Sequence, residues 1–271
     1  MAETRVLDDH EETSWSQLGA GLLLFASACA LLGVVFWSLP PLTAAERAVL
    51  TVPRSLDEMR ALAAVGSRYT DGHYWAVVAA VGCLYVFLQA FSIPGSIGLS
   101  VVSGALFGLW RGFALVICCA TLGPTIAFGL SRLVGRLLVR WLFPRQLAWF
   151  AGQVAQRRRH LLPFLLFLRV TPFLPNFFIN LAAPLLGVPL FHFVVATFFG
   201  IMPATFMHVS AGQQLAQLSD LGGSGALARL ALLSLLGGLV LLPTWPPVQR
   251  RLDALLNRGQ RLDLEELKKV K

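Results

Sequence analysis

The chain contains 271 residues, of which 56% are hydrophobic and only 13% are charged, and its formal net charge is +8. Soluble domains carry about 25% charged residues, so this composition excludes an ordinary soluble domain and favours a membrane protein. The basic excess does not indicate a nucleic-acid partner, because the basic residues flank apolar runs and no nucleic-acid-binding motif is present. No Asp or Glu lies between Asp71 and Asp220.

Residues 1–73 combine a polar tail, one apolar run and a polar linker. The tail, residues 1–17, is acidic where a secretory signal peptide would be basic, so it is not predicted to be one. Residues 18–37 have the length of a membrane span, which needs about 20 apolar residues. In the linker, Ser55 and Glu58 form a capping-box pattern that predicts a short helix.

Residues 74–215 are predicted to form one membrane domain. Apolar runs at 74–91, 112–131 and 191–210 predict three spans, and the run 161–170 predicts a half-length helix that ends near Arg169. Pro124 predicts a kink in the second of the three spans. Three glycines recur at four-residue steps and favour tight helix packing, namely Gly104, Gly108 and Gly112. The four cysteines, Cys29, Cys83, Cys118 and Cys119, all lie in apolar runs and are predicted to be small buried residues.

The segment 132–160 contains seven arginines and no acidic residue. The helical spacing of its first arginines, with leucines between them, predicts a basic amphipathic helix on the membrane surface that ends at Pro144; a soluble basic loop is the alternative. The positive-inside rule places this segment in the cytosol. A loop and a final span within 216–247 would then place the basic tail, 248–271, on the same side and the acidic N terminus on the other.

The last four residues resemble a dilysine signal for retrieval to the endoplasmic reticulum. Lys268 and Lys269 stand at the fourth and third positions from the end. Such a signal is read in the cytosol, in agreement with the placement of the tail. Lysine-rich ends also arise by chance, which is the alternative interpretation.

Two apolar stretches, 92–108 and 167–189, are broken by residues that disrupt a helix. The breaks are predicted at Pro94, Gly95, Pro172, Pro175 and Pro184. Proline removes a backbone donor, and an arginine at bilayer depth, here Arg169, costs roughly 2.5–3.5 kcal/mol on insertion scales. Each stretch is therefore predicted to be a re-entrant segment, because irregular backbone at that depth must line protein or a polar cavity.

Paired interrupted segments indicate a substrate path near the membrane midplane. The residues predicted to line a lipid path are Arg169, Thr171, Asn176, Asn180, Ser96, Ser100 and Ser103. The two asparagines share one helix face and the three serines another, so the faces would form one polar groove if the segments meet. In the alternative, Arg169 only pins the break and the asparagines satisfy freed backbone groups.

The chain has no motif of a known catalytic class. It contains no P-loop, no nucleophile elbow and no His-Glu-x-x-His zinc site. Hydrolases and phosphotransferases usually need a carboxylate as base or metal ligand, and residues 72–219 have none. The chain is therefore predicted not to be an enzyme, with no catalytic residue, metal or cofactor. The same gap disfavours a proton relay through Asp or Glu.

Five motifs resemble the DedA superfamily, also called the VTT domain family, and most closely its eukaryotic stasimin branch. They are SIPGS (92–96), SGALFG (103–108), FLRVTPFLPNFFIN (167–180), the pair Pro184 and Pro189, and GIMP (200–203). By position, the family motif sites correspond here to Pro94, Gly95, Arg169, Pro172, Pro175 and Asn176. The resemblance covers roughly residues 74–215.

The resemblance implies an all-α, polytopic helical membrane protein with two facing re-entrant segments. It also implies passive, ATP-independent phospholipid scrambling in the endoplasmic reticulum membrane, supporting autophagosome formation and lipid distribution. Phospholipids, and autophagy or lipid-transfer proteins, are the partners implied; nucleic acid is not. One alternative is a proton-coupled transporter of a lipid carrier or small anion, as in bacterial relatives, whose membrane carboxylates this chain lacks. The other is a membrane scaffold without transport.

Overall fold

The computed structural model describes residues 15–41, 43, 65–66, 68–132, 139, 142–171 and 174–217. Within these ranges all regular structure is helical, and three helices are long and apolar enough to cross a membrane. The predicted all-α, polytopic architecture is confirmed. The seven α-helices are α1 (Trp15–Trp37), α2 (Tyr74–Ala90), α3 (Ser96–Leu130), α4 (Pro144–Gln156), α5 (Leu161–Val170), α6 (Asn176–Ala182) and α7 (Leu190–Gln217).

The first two helices lie at one side of the bundle. α1 contains the predicted span 18–37, and its apolar stretch buries none of its residues. Its ring contacts are those of Phe25, whose centroid lies 5.8 Å from that of Phe87 and 4.9 Å from that of Phe91. α2 matches the predicted run 74–91, and its 17 residues rise about 26 Å, slightly less than the ~30 Å hydrocarbon core.

α3 bends sharply at Gly108, the one residue within it whose φ and ψ, 75° and 179°, are not helical. A Cβ added to Gly112 would lie 2.7 Å from the carbonyl oxygen of Ser103. In an unbroken helix these residues would be roughly 13 Å apart along the axis, because each residue rises about 1.5 Å. The halves 96–107 and 109–130 therefore fold against each other, whereas Pro124 lies in backbone with helical φ and ψ.

Backbone contact between α3 and α7 depends on two glycines. A Cβ at Gly104 would overlap the carbonyl oxygen of Val209, and a Cβ at Gly212 would overlap that of Val101. The predicted tight packing at Gly104 and Gly112 is thus observed. For Gly108 the interpretation was wrong, because a Cβ there meets nothing within 4 Å and the glycine supplies a positive φ instead.

α4 is amphipathic and begins where the predicted basic helix was expected to end. Pro144 opens its first turn, a position where the missing N–H costs no helical hydrogen bond. Leu147, Phe150 and Val154 are buried in the cluster that also contains Phe128. Of the earlier arginine-rich turns, residues 133–138 and 140–141 lie outside the described residues.

The cysteine prediction holds only in part, since Cys29 and Cys118 are exposed on the apolar surface, Cys83 is half-buried and Cys119 is buried. Several other predictions fall outside the described residues. They are the capping box at Ser55 and Glu58, the break at Pro172, the final span at 226–242, the tail 248–271, and the signal at Lys268 and Lys269. The predicted domain boundaries, and the facing re-entrant arrangement, stay predictions.

Candidate functional site

The second broken segment begins where α5 ends. Thr171 leaves the helical region with φ −98° and ψ 131°. Its N–H donates to the carbonyl of Phe167 at 2.9 Å, and its hydroxyl donates to the same oxygen at 2.6 Å. The carbonyl of Pro175 then accepts the N–H groups of Phe178 and Ile179, at 3.0 and 3.3 Å. The described backbone groups on the two sides of the break are therefore paired locally, as buried backbone requires.

The segment closes at a glycine in the left-handed region. α6 continues into a 3₁₀ turn, Ala183–Leu186, that contains Pro184. Gly187 has φ 70°, and its N–H donates to the carbonyl of Pro184 at 3.4 Å. The N–H of Val188 donates to Ala183 at 3.1 Å. Glycine adopts this conformation without steric cost, so α6 ends here and α7 starts in a new direction.

Arg169 joins the two sides of the break through what we call the arginine cluster, made of Arg169, Asn176 and Asn180. The Nη2 of Arg169 donates to Oδ1 of Asn180 at 2.6 Å, eleven residues along the chain. Its Nη1 donates to Oδ1 of Asn176 at 3.2 Å and to the carbonyl oxygen of Asn176 at 3.4 Å. The structure thus brings together three of the seven predicted path residues.

The three residues of the arginine cluster differ in how deeply they are buried. Arg169 is 7% exposed and Asn180 only 1% exposed, whereas Asn176 is on the surface. The short hydrogen bond is therefore the internal one, and the two longer bonds face outward.

α7 holds the aliphatic and planar parts of Arg169 in place. The guanidinium carbon lies 4.8 Å from the ring centroid of Phe193, within the range of a cation–π contact. A Cβ at Gly200 would overlap the Cβ of Arg169, so only glycine leaves room there. Both residues were missed as contributors to the site. Gly200 lies in the GIMP motif, which was a detectable signal, whereas Phe193 had none.

Charge in the cluster is unbalanced. Among the described residues Arg169 has only neutral oxygens as acceptors, and the Nδ2 of Asn180 is buried without a partner. The groups of the cluster that can still form hydrogen bonds are therefore N–H donors, and they lie next to one positive charge. An anion rich in acceptor oxygens, such as a phosphate, is the chemical complement of this arrangement. No cluster suited to a metal ion occurs within the described part of the chain.

The hydroxyl groups of the first broken segment bond elsewhere. Ser100 donates to the carbonyl of Ser96 at 3.0 Å and contacts the hydroxyl of Tyr85 at 3.1 Å. Ser103 donates to Leu99 at 2.7 Å. No hydrogen bond in the described residues joins these serines to the arginine cluster, and the shared polar groove stays a prediction.

The first segment is interrupted at residues whose backbone conformation is not helical. Pro94 and Gly95 precede α3, and Gly95, at the helix N-cap, has φ 131°. Gly108, with φ 75°, closes the segment as Gly187 closes the second. Both predicted segments are therefore interrupted helices bounded by a proline-containing break and a left-handed glycine.

Comparison with known proteins places most of this membrane region in one family. Residues 93–214 match the family model described as VTT domain. The transmembrane protein 41 homolog of Dictyostelium discoideum is 47% identical over 207 residues, which cover 74% of this chain and 62% of that protein. Transmembrane protein 41B of Homo sapiens is 38% identical over 244 residues, covering 87% of this chain and 84% of that protein.

A plant relative extends the comparison. An uncharacterized membrane protein of Arabidopsis thaliana is 42% identical over 200 residues, covering 74% of this chain and 70% of that protein. The match thus spans a little under two thirds of the Dictyostelium relative and more than two thirds of the human and plant ones. No solved structure matches the chain.

Proposed function

This chain belongs to the VTT domain family of membrane proteins, and on that basis we propose that it is a passive, ATP-independent phospholipid scramblase. The observation that carries the proposal is the arginine cluster, a buried cation held only by neutral acceptors among the described residues of an apolar helical bundle. Arg169 is the residue proposed to contact the phosphate of a lipid that crosses the membrane.

The hydrogen-bond acceptors of Arg169 in the described residues are all neutral oxygens. A buried charge is normally paired, because an uncompensated one costs several kcal/mol. Hydrogen bonds from a guanidinium to an anionic oxygen are roughly twice as strong as those between neutral groups. A lipid phosphate is therefore a better acceptor for Arg169 than the amide oxygens that it contacts in this structure.

The burial of the two asparagines indicates which of them an arriving phosphate would displace from Arg169. Asn180 is buried and holds Nη2 at 2.6 Å, so it acts as the anchor. Asn176 is exposed and holds Nη1 at 3.2 Å, so it is the acceptor that an arriving phosphate would replace. Because Asn180 would keep its bond, Arg169 need not be released from the break while it binds a headgroup.

Passive transport is favoured over proton-coupled transport by the distribution of charge. Residues 72–219 contain no Asp or Glu. This gap disfavours a proton relay that runs through Asp or Glu. The chain also has no P-loop, so no nucleotide-binding motif of this kind is available to drive transport.

The proposed location is the endoplasmic reticulum membrane, where the protein would support autophagosome formation and lipid distribution. The support is the dilysine pattern at Lys268 and Lys269 together with the family resemblance. Replacing both lysines with alanine should shift the protein from the endoplasmic reticulum to later secretory compartments in cells. An unchanged distribution under fluorescence microscopy would remove this part of the proposal.

Reconstitution tests the transport proposal directly. The purified chain is placed in liposomes that contain a fluorescent phospholipid in both leaflets, and dithionite then bleaches the outer leaflet. A scramblase brings inner-leaflet lipid outward, so the bleached fraction should exceed half without ATP or an ion gradient. Bleaching that stops near half would contradict scrambling and leave the scaffold interpretation, and acceleration by a pH gradient would favour the proton-coupled alternative.

A further inference from the structure

The helix α4 is fixed across one end of the bundle by its apolar face. Leu147, Phe150 and Val154 recur at steps of three and four residues and are buried. The ring of Phe150 lies 6.3 Å from that of Phe164 in α5 and 6.1 Å from that of Phe178 in α6. This packing leaves the opposite face of α4, and the residues at both of its ends, on the outside.

Four exposed arginines lie at the two ends of this helix and after α3. We call them the arginine surface: Arg132, Arg145, Arg158 and Arg159. Arg145 lies in the first turn of α4, and the other end of the helix is followed directly by Arg158 and Arg159. Arg132 follows α3 and lies over the ring of Phe128 at 5.3 Å. No acidic residue in 72–219 is available to neutralise them.

Arg132, one residue of the arginine surface, follows a half-helix that is long enough to cross a membrane. The second half of α3, residues 109–130, rises about 33 Å, close to the ~30 Å hydrocarbon thickness. Trp110 and Arg111 stand at its start and Arg132 at its end, and Phe128 near that end shares a buried cluster with α4. Trp149 on α4 is 37% exposed, as expected for an interfacial aromatic residue.

We infer that the arginine surface is a docking surface for anionic phospholipid headgroups of the adjacent leaflet. Four positive charges with no acidic residue among residues 72–219 complement a negatively charged leaflet, whereas zwitterionic headgroups offer no net charge. The buried face of α4 belongs to the protein core, so the attraction comes from the flanking arginines and not from inserted apolar side chains. This docking is independent of transport through the arginine cluster.

The strength expected follows from electrostatics at a charged bilayer. Each Lys or Arg near an anionic surface adds roughly fivefold to the binding constant, and the attraction falls off within a Debye length. Removing three arginines should therefore weaken binding to anionic lipid by up to roughly 100-fold. Raising the salt concentration should weaken it in the unchanged protein as well.

The test is a thermal-stability titration of the full chain in a nonionic detergent. The probes are short-chain phosphatidylglycerol, which is anionic, and short-chain phosphatidylcholine, which is zwitterionic. The test variant is the triple substitution Arg145→Gln, Arg158→Gln, Arg159→Gln. One control replaces the same three residues with lysine. The other is Arg111→Gln at the start of the second half of α3, where the guanidinium carbon lies 5.8 Å from the ring centroid of Tyr74.

Phosphatidylglycerol should raise the unfolding temperature more than phosphatidylcholine does, and 0.5 M salt should remove the difference. The difference should disappear in the glutamine variant and persist in the lysine variant and in Arg111→Gln. Equal shifts with both lipids, a shift insensitive to salt, or an equal loss in Arg111→Gln would each overturn the inference. If the triple variant does not fold, the single substitution Arg145→Gln replaces it, and it should weaken the preference for phosphatidylglycerol about fivefold. An unchanged preference in that variant would overturn the inference.

Discussion

The two broken segments share a backbone plan but carry different chemistry. Each follows a proline-containing break and ends at a left-handed glycine, Gly108 with φ 75° and Gly187 with φ 70°. In the first segment the hydroxyls of Ser100 and Ser103 bond to carbonyls of their own helix. In the second, Arg169 bonds across the break to side chains of the next helix.

This difference separates a packing role from a polar one. Gly104 of the first segment brings the backbone of α3 against that of α7, so the segment is sensitive to volume. The second segment holds a buried charge whose acceptors are amide oxygens, so it is sensitive to hydrogen bonding and charge. The same interrupted-helix plan therefore supplies a rigid support in one half and a candidate phosphate contact in the other.

The largest effect on stability is expected from added volume in the first segment. In Gly104→Ala the new methyl group would overlap the carbonyl oxygen of Val209, and overpacking of this kind should cost about 3 kcal/mol or more. Gly98→Ala is the matched control, because a Cβ there meets nothing within 4 Å. Thermal unfolding in detergent measures both, and equal stability of the two variants would contradict the packing role.

The largest effect on transport is expected from Arg169→Met, which removes the charge and keeps an unbranched side chain beside Gly200 and Phe193. Lipid scrambling in the dithionite assay should fall at least about tenfold, because Met is only a weak acceptor and offers no donor to a phosphate. Stability should fall by roughly 1–3 kcal/mol, because Oδ1 of the buried Asn180 loses its donor.

The same variant distinguishes transport from simple pinning of the break. If Arg169 only pinned the break, any loss of scrambling in Arg169→Met would follow the loss of folded protein, and the protein that stays folded would scramble lipid at the wild-type rate. Arg111→Met is the control for removing an arginine, since Arg111 is exposed and distant in sequence from the break. Scrambling by Arg169→Met at the wild-type rate would exclude lipid contact by this residue.

A smaller, graded effect is expected from the two asparagines. Asn180→Ala removes the short buried bond to Arg169 and should cost roughly 1–3 kcal/mol of stability together with most of the scrambling. Asn176→Ala removes longer bonds on the exposed side, so stability should change by about 0.5 kcal/mol or less. Equal losses of stability in the two variants would contradict the assignment of Asn180 as anchor and Asn176 as the exchangeable acceptor.

The smallest effect on scrambling is expected from the buried hydroxyl pair of the first segment. Tyr85→Phe removes the 3.1 Å contact with Ser100 and should cost about 1 kcal/mol. Scrambling should continue near the wild-type rate, because this pair makes no hydrogen bond to the arginine cluster. A transport defect as large as that of Asn180→Ala would show that both segments line the path and would end the division of roles.

Much of the helical architecture could be predicted because it depends on local sequence. The half-length helix predicted at 161–170 is observed as Leu161–Val170, since its boundaries follow from a basic turn before it and a proline-containing break after it. The span predicted at 191–210 is observed as the longer α7. Its C-terminal extension, to Gln217, contains polar residues that a hydropathy run excludes.

Helix starts and bends were predicted less well where one residue type has two uses. Proline interrupts a helix interior but is favoured in a first turn, so Pro144 was expected to end a helix and instead begins one. Glycine permits close packing and also a positive φ, so Gly108 could not be distinguished from Gly104 by spacing alone. Only the neighbours of each residue decide between these uses.

The sequence by itself determined that the protein is an α-helical membrane protein with two interrupted segments, because apolar length, proline and glycine act within a few residues. It also placed Arg169, Asn176 and Asn180 as candidates. Only the tertiary structure decided that Asn180 is the buried anchor, that Gly200 leaves room for Arg169, and that the serines bond elsewhere. The physical reason is that these contacts join different helices, and their partners are set by packing, which spacing along the chain does not encode.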